Sequence, residues 1–194
     1  MRIPLRFQIT EFDCGTIALQ NAVCYLYERE TIPADIIRAI HNYTLDCYET
    51  DGKLNQAGVS GNAIDLMTTW FESFAKRNIF DLRCERYLGK RVDMSIIRTC
   101  LANHGAVLIK TNQRHKQHFV IATKIDTEYI YLWDSYFLDE DYYDPDKEVT
   151  IIFDKPFDYN RKVSLRRFDS EIKKDFSLWT LEERECVLFY KKTI

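Results

Sequence analysis

Gln8-Ile9-Thr10-Glu11-Phe12-Asp13-Cys14-Gly15 places a cysteine at the threshold of an apolar-periodic run, TIALQNAVCYLYERE. Ala18, Leu19, Ala22, Val23 and Leu26 recur at helical spacing, which predicts a helix from about Gly15 to Glu30 with one buried face. Cys14 then stands at or just before the first turn. The first amides of a helix have no intrahelical acceptor and carry the positive end of the macrodipole, so they favour a thiolate over a thiol. Gly15 has no side chain, so a substrate backbone could approach the sulfur closely. Gln8, six residues upstream in an extended segment, offers an amide donor. With the Cys14 N–H it could hold a developing oxyanion. A lone Cys-Gly at a helix start is more often core packing, so partners for the sulfur decide the matter.

Working outward, the remaining chain reads as helices followed mainly by antiparallel strands, an α+β architecture. Pro33 suits the first turn of a second helix with Ile36, Ile37 and Ile40 inward. Residues 41–59 are polar, with Asp51-Gly52 and Gly58 as turn signals. Ser60 is a helix N-cap, followed by an apolar stripe of Ala63, Leu66, Met67, Trp70, Phe71 and Phe74. Phe80, Leu82 and Cys84 alternate with charged residues, a half-buried strand. Asp93 caps a helix that runs through His104, and Gly105 is expected to end it. Strand-like runs follow at residues 106–111, 118–125, 129–134, 149–153 and 186–191. The stretch 161–175 is basic, with room for a short helix. The core spans about residues 1–136 of a single domain covering 1–194, and an extension, 137–194, completes the sheet.

At 194 residues the chain can bury a substantial core, and its 46% apolar content with 12 Phe and 12 Tyr argues against disorder. A net charge of −3, from 27 basic and 30 acidic side chains, leaves no footprint for nucleic acid. No apolar run reaches the roughly 18 residues of a membrane span, and MRIPLRFQIT has no signal-peptide core. A cytoplasmic location with reduced thiols is expected. The six cysteines, 14, 24, 47, 84, 100 and 186, show no CxxC spacing, so no metal site is expected. Cys24 and Cys100 fall on apolar helix faces and read as core.

Of four histidines, His41 and His104 sit at helix ends and His115 in a polar turn, whereas His118 opens an apolar strand. A hairpin turning at Asp126, with 125 facing 127 and 124 facing 128, sets His118 directly opposite Asp134. Directly opposed residues share a face with Cβ atoms about 5 Å apart. A one-residue slip would separate them. Asp134 would then fix the tautomer of His118, which would take the proton from Cys14.

Gln8, Asp13-Cys14-Gly15, His118-Phe119-Val120 and Asp134 together resemble the bacteriocin-processing, double-glycine leader peptidases and their free-standing relatives, in the papain-like cysteine peptidase superfamily. The resemblance covers roughly residues 6–136. It implies a papain-like fold with Gln8 in the oxyanion hole, Cys14 as nucleophile, His118 as general base and Asp134 as its orienter. Where the family often has Asp-Pro, this chain has Asp134-Ser135.

The implied reaction is acyl transfer through a thioester, needing neither metal nor organic cofactor, on a peptide or a small amide. The same triad could serve an amidase or an acyltransferase on a non-peptide substrate, or persist in an inactive peptide-binding module. The acidic, Tyr-rich loop 137–148 is a solvated surface loop that could favour a basic peptide or dock a protein partner.

Overall fold

A computed structural model describes residues 1–44, 46–47 and 58–191. The turn expected at Asp51-Gly52 lies outside them. The described chain is a mixed helix and antiparallel-sheet structure. Helix α1, Cys14–Leu26, is buried at every residue but Tyr25. The expectation of a single buried face therefore fails: α1 packs on the sheet and on α2, Ala34–Tyr43, and the N-terminal segment runs along it. That segment is clamped by Asn21, whose carboxamide accepts from Arg6 N at 2.8 Å and donates to Arg6 O at 2.9 Å.

Helix α3, Gly61–Asn78, starts at Ser60, whose Oγ accepts from Ala63 N at 3.1 Å. Its buried side is Ala63, Ile64, Met67, Phe71, Phe74 and Ala75. Leu66, expected in that stripe, is 48% exposed because Ile64 takes the inward place. In α4, Met94–Ala102, Asp93 caps Ser95 N and Ile96 N. The left-handed residue that ends it is His104, at φ 57°, not Gly105. Gly105 is required for another reason: a Cβ there would lie 2.7 Å from Phe189 O and 2.9 Å from Cys100 O.

The strands are β1 Leu82–Leu88, β2 Ala106–Gln113, β3 Lys116–Ile125, β4 Tyr129–Trp133, β5 Val149–Ile151, β6 Arg161–Ser164 and β7 Glu185–Lys191. They form one sheet in the order β1-β7-β2-β3-β4-β6-β5, antiparallel throughout. The final strand, β7, inserts between β1 and β2. The basic segment 161–175 opens as strand β6, and the short helix expected within it, α5 Leu165–Phe168, follows.

Alternate residues of each strand feed two apolar layers. Leu108, Phe119, Ile121, Val187 and Phe189 face α1 and α3, while Val107, Ile109, Val120, Leu132 and Leu188 face α4 and α5. Burying each such side chain contributes about 1.5–3 kcal/mol, so neither face is stable uncovered.

Two local features set the site. Arg114 and His115, at φ 49° and 64°, form the two-residue turn between β2 and β3. In the β3–β4 ladder Ile125 faces Ile130 and Lys124 faces Tyr131, but Ala122 faces Leu132. Thr123 is therefore an extra, bulged residue. The register assumed from the sequence, with 125 facing 127, is corrected accordingly. Among the described residues no helix is long and apolar enough to cross a membrane.

Candidate active site

Cys14 is the first residue of α1. Asp13 shapes the turn before it, accepting from Ile9 N at 3.2 Å, Thr10 N at 3.0 Å and Thr10 Oγ1 at 2.8 Å. Its backbone carbonyl accepts from Ile17 N at 2.9 Å, the first helical bond. Gly15 does not open the sulfur to a substrate, as the sequence reading had it. A Cβ there would meet Val59 Cγ2 at 2.8 Å and Phe119 Cδ2 at 3.2 Å, so the glycine serves close internal packing.

His118 Nε2 lies 2.7 Å from Asp134 Oδ1. An ionised carboxylate only accepts, so Nε2 carries the hydrogen and Nδ1 is left for Cys14, to which the imidazole is also hydrogen-bonded. The ladder ends where Ile121 faces Trp133, so β3 runs on past β4 through Phe119 and His118. The Cys14 sulfur sits at that uncovered edge and accepts from the backbone N–H groups of Phe119 and Gly15.

Asp134 is fully buried and saturated. Oδ1 also accepts from Tyr136 N at 2.9 Å, and Oδ2 accepts from Gln113 Nε2 at 3.1 Å and pairs with Arg161 Nη2 at 3.2 Å. Its backbone is held by the Asn160 carboxamide, at 2.7 Å and 2.8 Å.

These contacts set the ionisation. Burial pushes the Cys14 thiol up, but the His118 charge and the hydrogen bonds from His118, Phe119 and Gly15 outweigh it and hold it below the ordinary range. For His118, burial disfavours the cation, and the Asp134 and Cys14 charges overcome that and raise it. Asp134 would be raised by burial, yet His118 and Arg161 hold it low. The electrostatics thus favour a thiolate–imidazolium pair. Among the other thiols, burial raises Cys24, Cys47 and Cys186 and pushes Cys100 up to about 12.

Cys14, His118 and Asp134 therefore come together. Gln8 is tied to Ser135, the residue after Asp134. Its backbone N–H donates to Ser135 O at 2.9 Å, its Oε1 accepts from Ser135 Oγ at 2.9 Å, and its Nε2 donates to Thr10 O at 2.7 Å. One of its two amide hydrogens is thereby spent. Sequence reading missed Gln113, Tyr136, Asn160 and Arg161. A polar pair at the end of apolar β2, Asn112-Gln113, was the one available signal for any of them. Two cavities of about 560 and 640 Å³ flank the end of α4, and neither is lined by Cys14 or His118.

No family model matches this chain, and no curated protein matches it. Among solved structures, it is similar to the peptidase domain of Streptococcus ComA, a bi-functional ABC transporter involved in a quorum sensing pathway, with a TM-score of 0.48, 14% identity and 98% of each chain covered.

Proposed function

We propose that this chain is a thiol hydrolase, a cysteine peptidase of papain-like arrangement, acting through Cys14, His118 and Asp134. One observation carries the reading: a buried imidazole, 2.7 Å from a buried carboxylate, also interacts with a cysteine at a helix start, for which its other nitrogen is left free by the carboxylate. The thiolate attacks the amide carbonyl carbon, and the carbonyl π electrons move to oxygen. The N–H of Cys14 receives that oxyanion, with the second amide hydrogen of Gln8 as its partner donor. His118 passes its proton to the leaving nitrogen as the C–N bond breaks, leaving a thioester. Water then gives a proton to His118 and attacks the thioester, releasing the acid and restoring the charged pair. Asp134 holds the ring orientation throughout.

The test is limiting alkylation of the whole chain between pH 5 and 9, with each thiol quantified by mass spectrometry. Cys14 is modified first below pH 7, and His118→Ala abolishes the preference. Even labelling of all six thiols removes the basis for an enzyme.

A further inference from the structure

Arg161 is 1% exposed, among the largest fully buried side chains of the described chain. Such a cation is expensive to desolvate, and a buried ion pair is seldom a net gain over apolar packing. Its Nη1 donates to Asn160 O at 3.0 Å and its Nη2 to Tyr136 O at 2.8 Å. Its Nε has no partner among the described residues. A side chain kept only to tie β6 to the segment after β4 would not need a charge or leave a donor orphaned. The charge has a use where the guanidinium meets Asp134.

We propose that Arg161 is a positioning residue of this site: it balances Asp134, so that Cys14 and His118 can carry opposite charges within a buried cluster of zero net charge. This rests on the thiol-hydrolase reading and adds to it. Without the guanidinium, the cluster would hold two negative charges against one positive. A buried thiolate would then face Asp134 with only the imidazolium to offset both. Of the other groups around the cluster, Gln113 from β2 and Tyr136 and Tyr143 from the segment after β4 carry no charge, Asp13 beside Cys14 and Glu11 on the Tyr136 hydroxyl are acidic, and the Arg114 guanidinium is exposed and bound to Tyr136 and Tyr142. None of them can replace the lost charge. The direction holds whichever way Asp134 responds. If it stays ionised, its field disfavours the thiolate. If it takes a proton, the imidazolium loses its counterion and the thiolate loses its partner. Either way the thiolate forms at higher pH.

The experiment is the pH profile of Cys14 alkylation by iodoacetamide on the full chain, read by mass spectrometry, for wild type, Arg161→Gln and Arg161→Lys. The midpoint rises by about one pH unit or more in Arg161→Gln, the size of effect expected from one nearby charge. It stays within about half a unit in Arg161→Lys, which keeps the charge but not the planar fork. An Arg161→Gln midpoint equal to wild type overturns the proposal while leaving the peptidase reading intact. A wild-type Cys14 no more reactive than Cys47 at neutral pH overturns the peptidase reading first, and this one with it. Where circular dichroism shows Arg161→Gln unfolded, Asp134→Asn/Arg161→Met is compared with Asp134→Asn. The double variant has the higher Cys14 midpoint, and equal midpoints overturn the proposal.

Discussion

Asp134 reaches His118 diagonally across the edge of the β3–β4 ladder, and one extra residue makes that possible. With Ile125 facing Ile130, an uninterrupted register would put His118 and Asp134 on opposite faces of the sheet. The bulge at Thr123 shifts the pairing by one, so that Ile121 faces Trp133 and the two side chains share a face. Diagonal neighbours lie farther apart than opposed ones, yet an imidazole still spans the gap, at 2.7 Å.

Selectivity among the thiols follows from their surroundings. Cys14 is held low by His118, whereas burial raises Cys24, Cys47, Cys100 and Cys186. An ordinary thiol is about 1% ionised at pH 6.5. Cys14 should therefore react there roughly tenfold or more faster than Cys47, although Cys47 is the more exposed. The Cys14 rate itself falls once pH drops through its depressed value, but its advantage over Cys47 is largest at low pH and shrinks as pH rises toward the ordinary thiol value. Site-resolved labelling rates at pH 5, 6.5 and 8 measure it.

Asp134→Asn leaves Arg161 as an uncompensated buried cation. Removing one partner of a buried pair costs about 3–5 kcal/mol. Asp134→Asn/Arg161→Met removes both charges and recovers most of that loss, because an apolar side chain of similar reach replaces the guanidinium. Urea unfolding of wild type, single and double variants gives the coupling, which should exceed about 1 kcal/mol. Additive losses would mean that the two groups do not support each other.

The same pair sets a pH dependence with a definite sign. The Asp134 carboxyl is lower in the fold than in an unfolded chain. Its contribution is therefore complete above the ordinary carboxylate value of about 3.9 and fades as pH falls through the folded value. The melting-temperature gap between wild type and Asp134→Asn should be full at pH 6 and narrow as the medium is acidified below pH 4. A gap that widens on acidification contradicts a depressed carboxyl.

How much of this was legible in the chain itself depends on distance along it. The start of α1, the Ser60 and Asp93 caps and the strand-like runs are local patterns, and local propensity placed them. The proximity of His118 and Asp134 followed from a hairpin, but its register did not. The bulge is secured by distant groups: Thr123 Oγ1 donates to Asp158 O at 2.7 Å, and Tyr25 Oη donates to Thr123 O at 3.2 Å. Arg161 sits in a basic stretch whose outward look is contradicted only by Asp134, 27 positions earlier. The entry of β7 between β1 and β2 is a non-local pairing that periodicity cannot reveal.

Two glycines should differ in cost. At Gly15 an added methyl meets the side chains of Val59 and Phe119, which can shift, and alanine favours a helix. Gly15→Ala should cost about 1–2 kcal/mol. It should also slow Cys14 labelling, because Phe119 N–H donates to the sulfur. At Gly105 the methyl meets the carbonyl oxygens of Phe189 and Cys100, which are fixed by β7 and α4. Gly105→Ala should cost about 3 kcal/mol or more without a specific effect on Cys14. Denaturation midpoints together with labelling rates separate the two.

Access to the sulfur is the remaining question, since Cys14 is 9% exposed and His118 5%. Tyr136 stands edge-on to the His118 ring, with centroids 6.5 Å apart. Its hydroxyl donates to the Glu11 carboxylate at 2.9 Å and accepts from Arg114 Nη1 at 2.9 Å. Glu11 belongs to the turn that carries Cys14, and Arg114 to the turn before His118, so this one hydroxyl joins the two sides of the site. The Arg114 guanidinium also lies over the Tyr136 and Tyr142 rings, at 4.8 and 5.6 Å. Tyr136→Phe keeps the ring and removes both hydrogen bonds, which at charged partners are worth about 1.5–3 kcal/mol each when buried and less in this exposed setting. A bulky maleimide should then label Cys14 roughly tenfold faster, while iodoacetamide gains less and its pH midpoint stays put. Unchanged rates with both reagents would show that the hydroxyl bridge does not cover the sulfur. A shifted midpoint would instead place Tyr136 in the electrostatics of the pair.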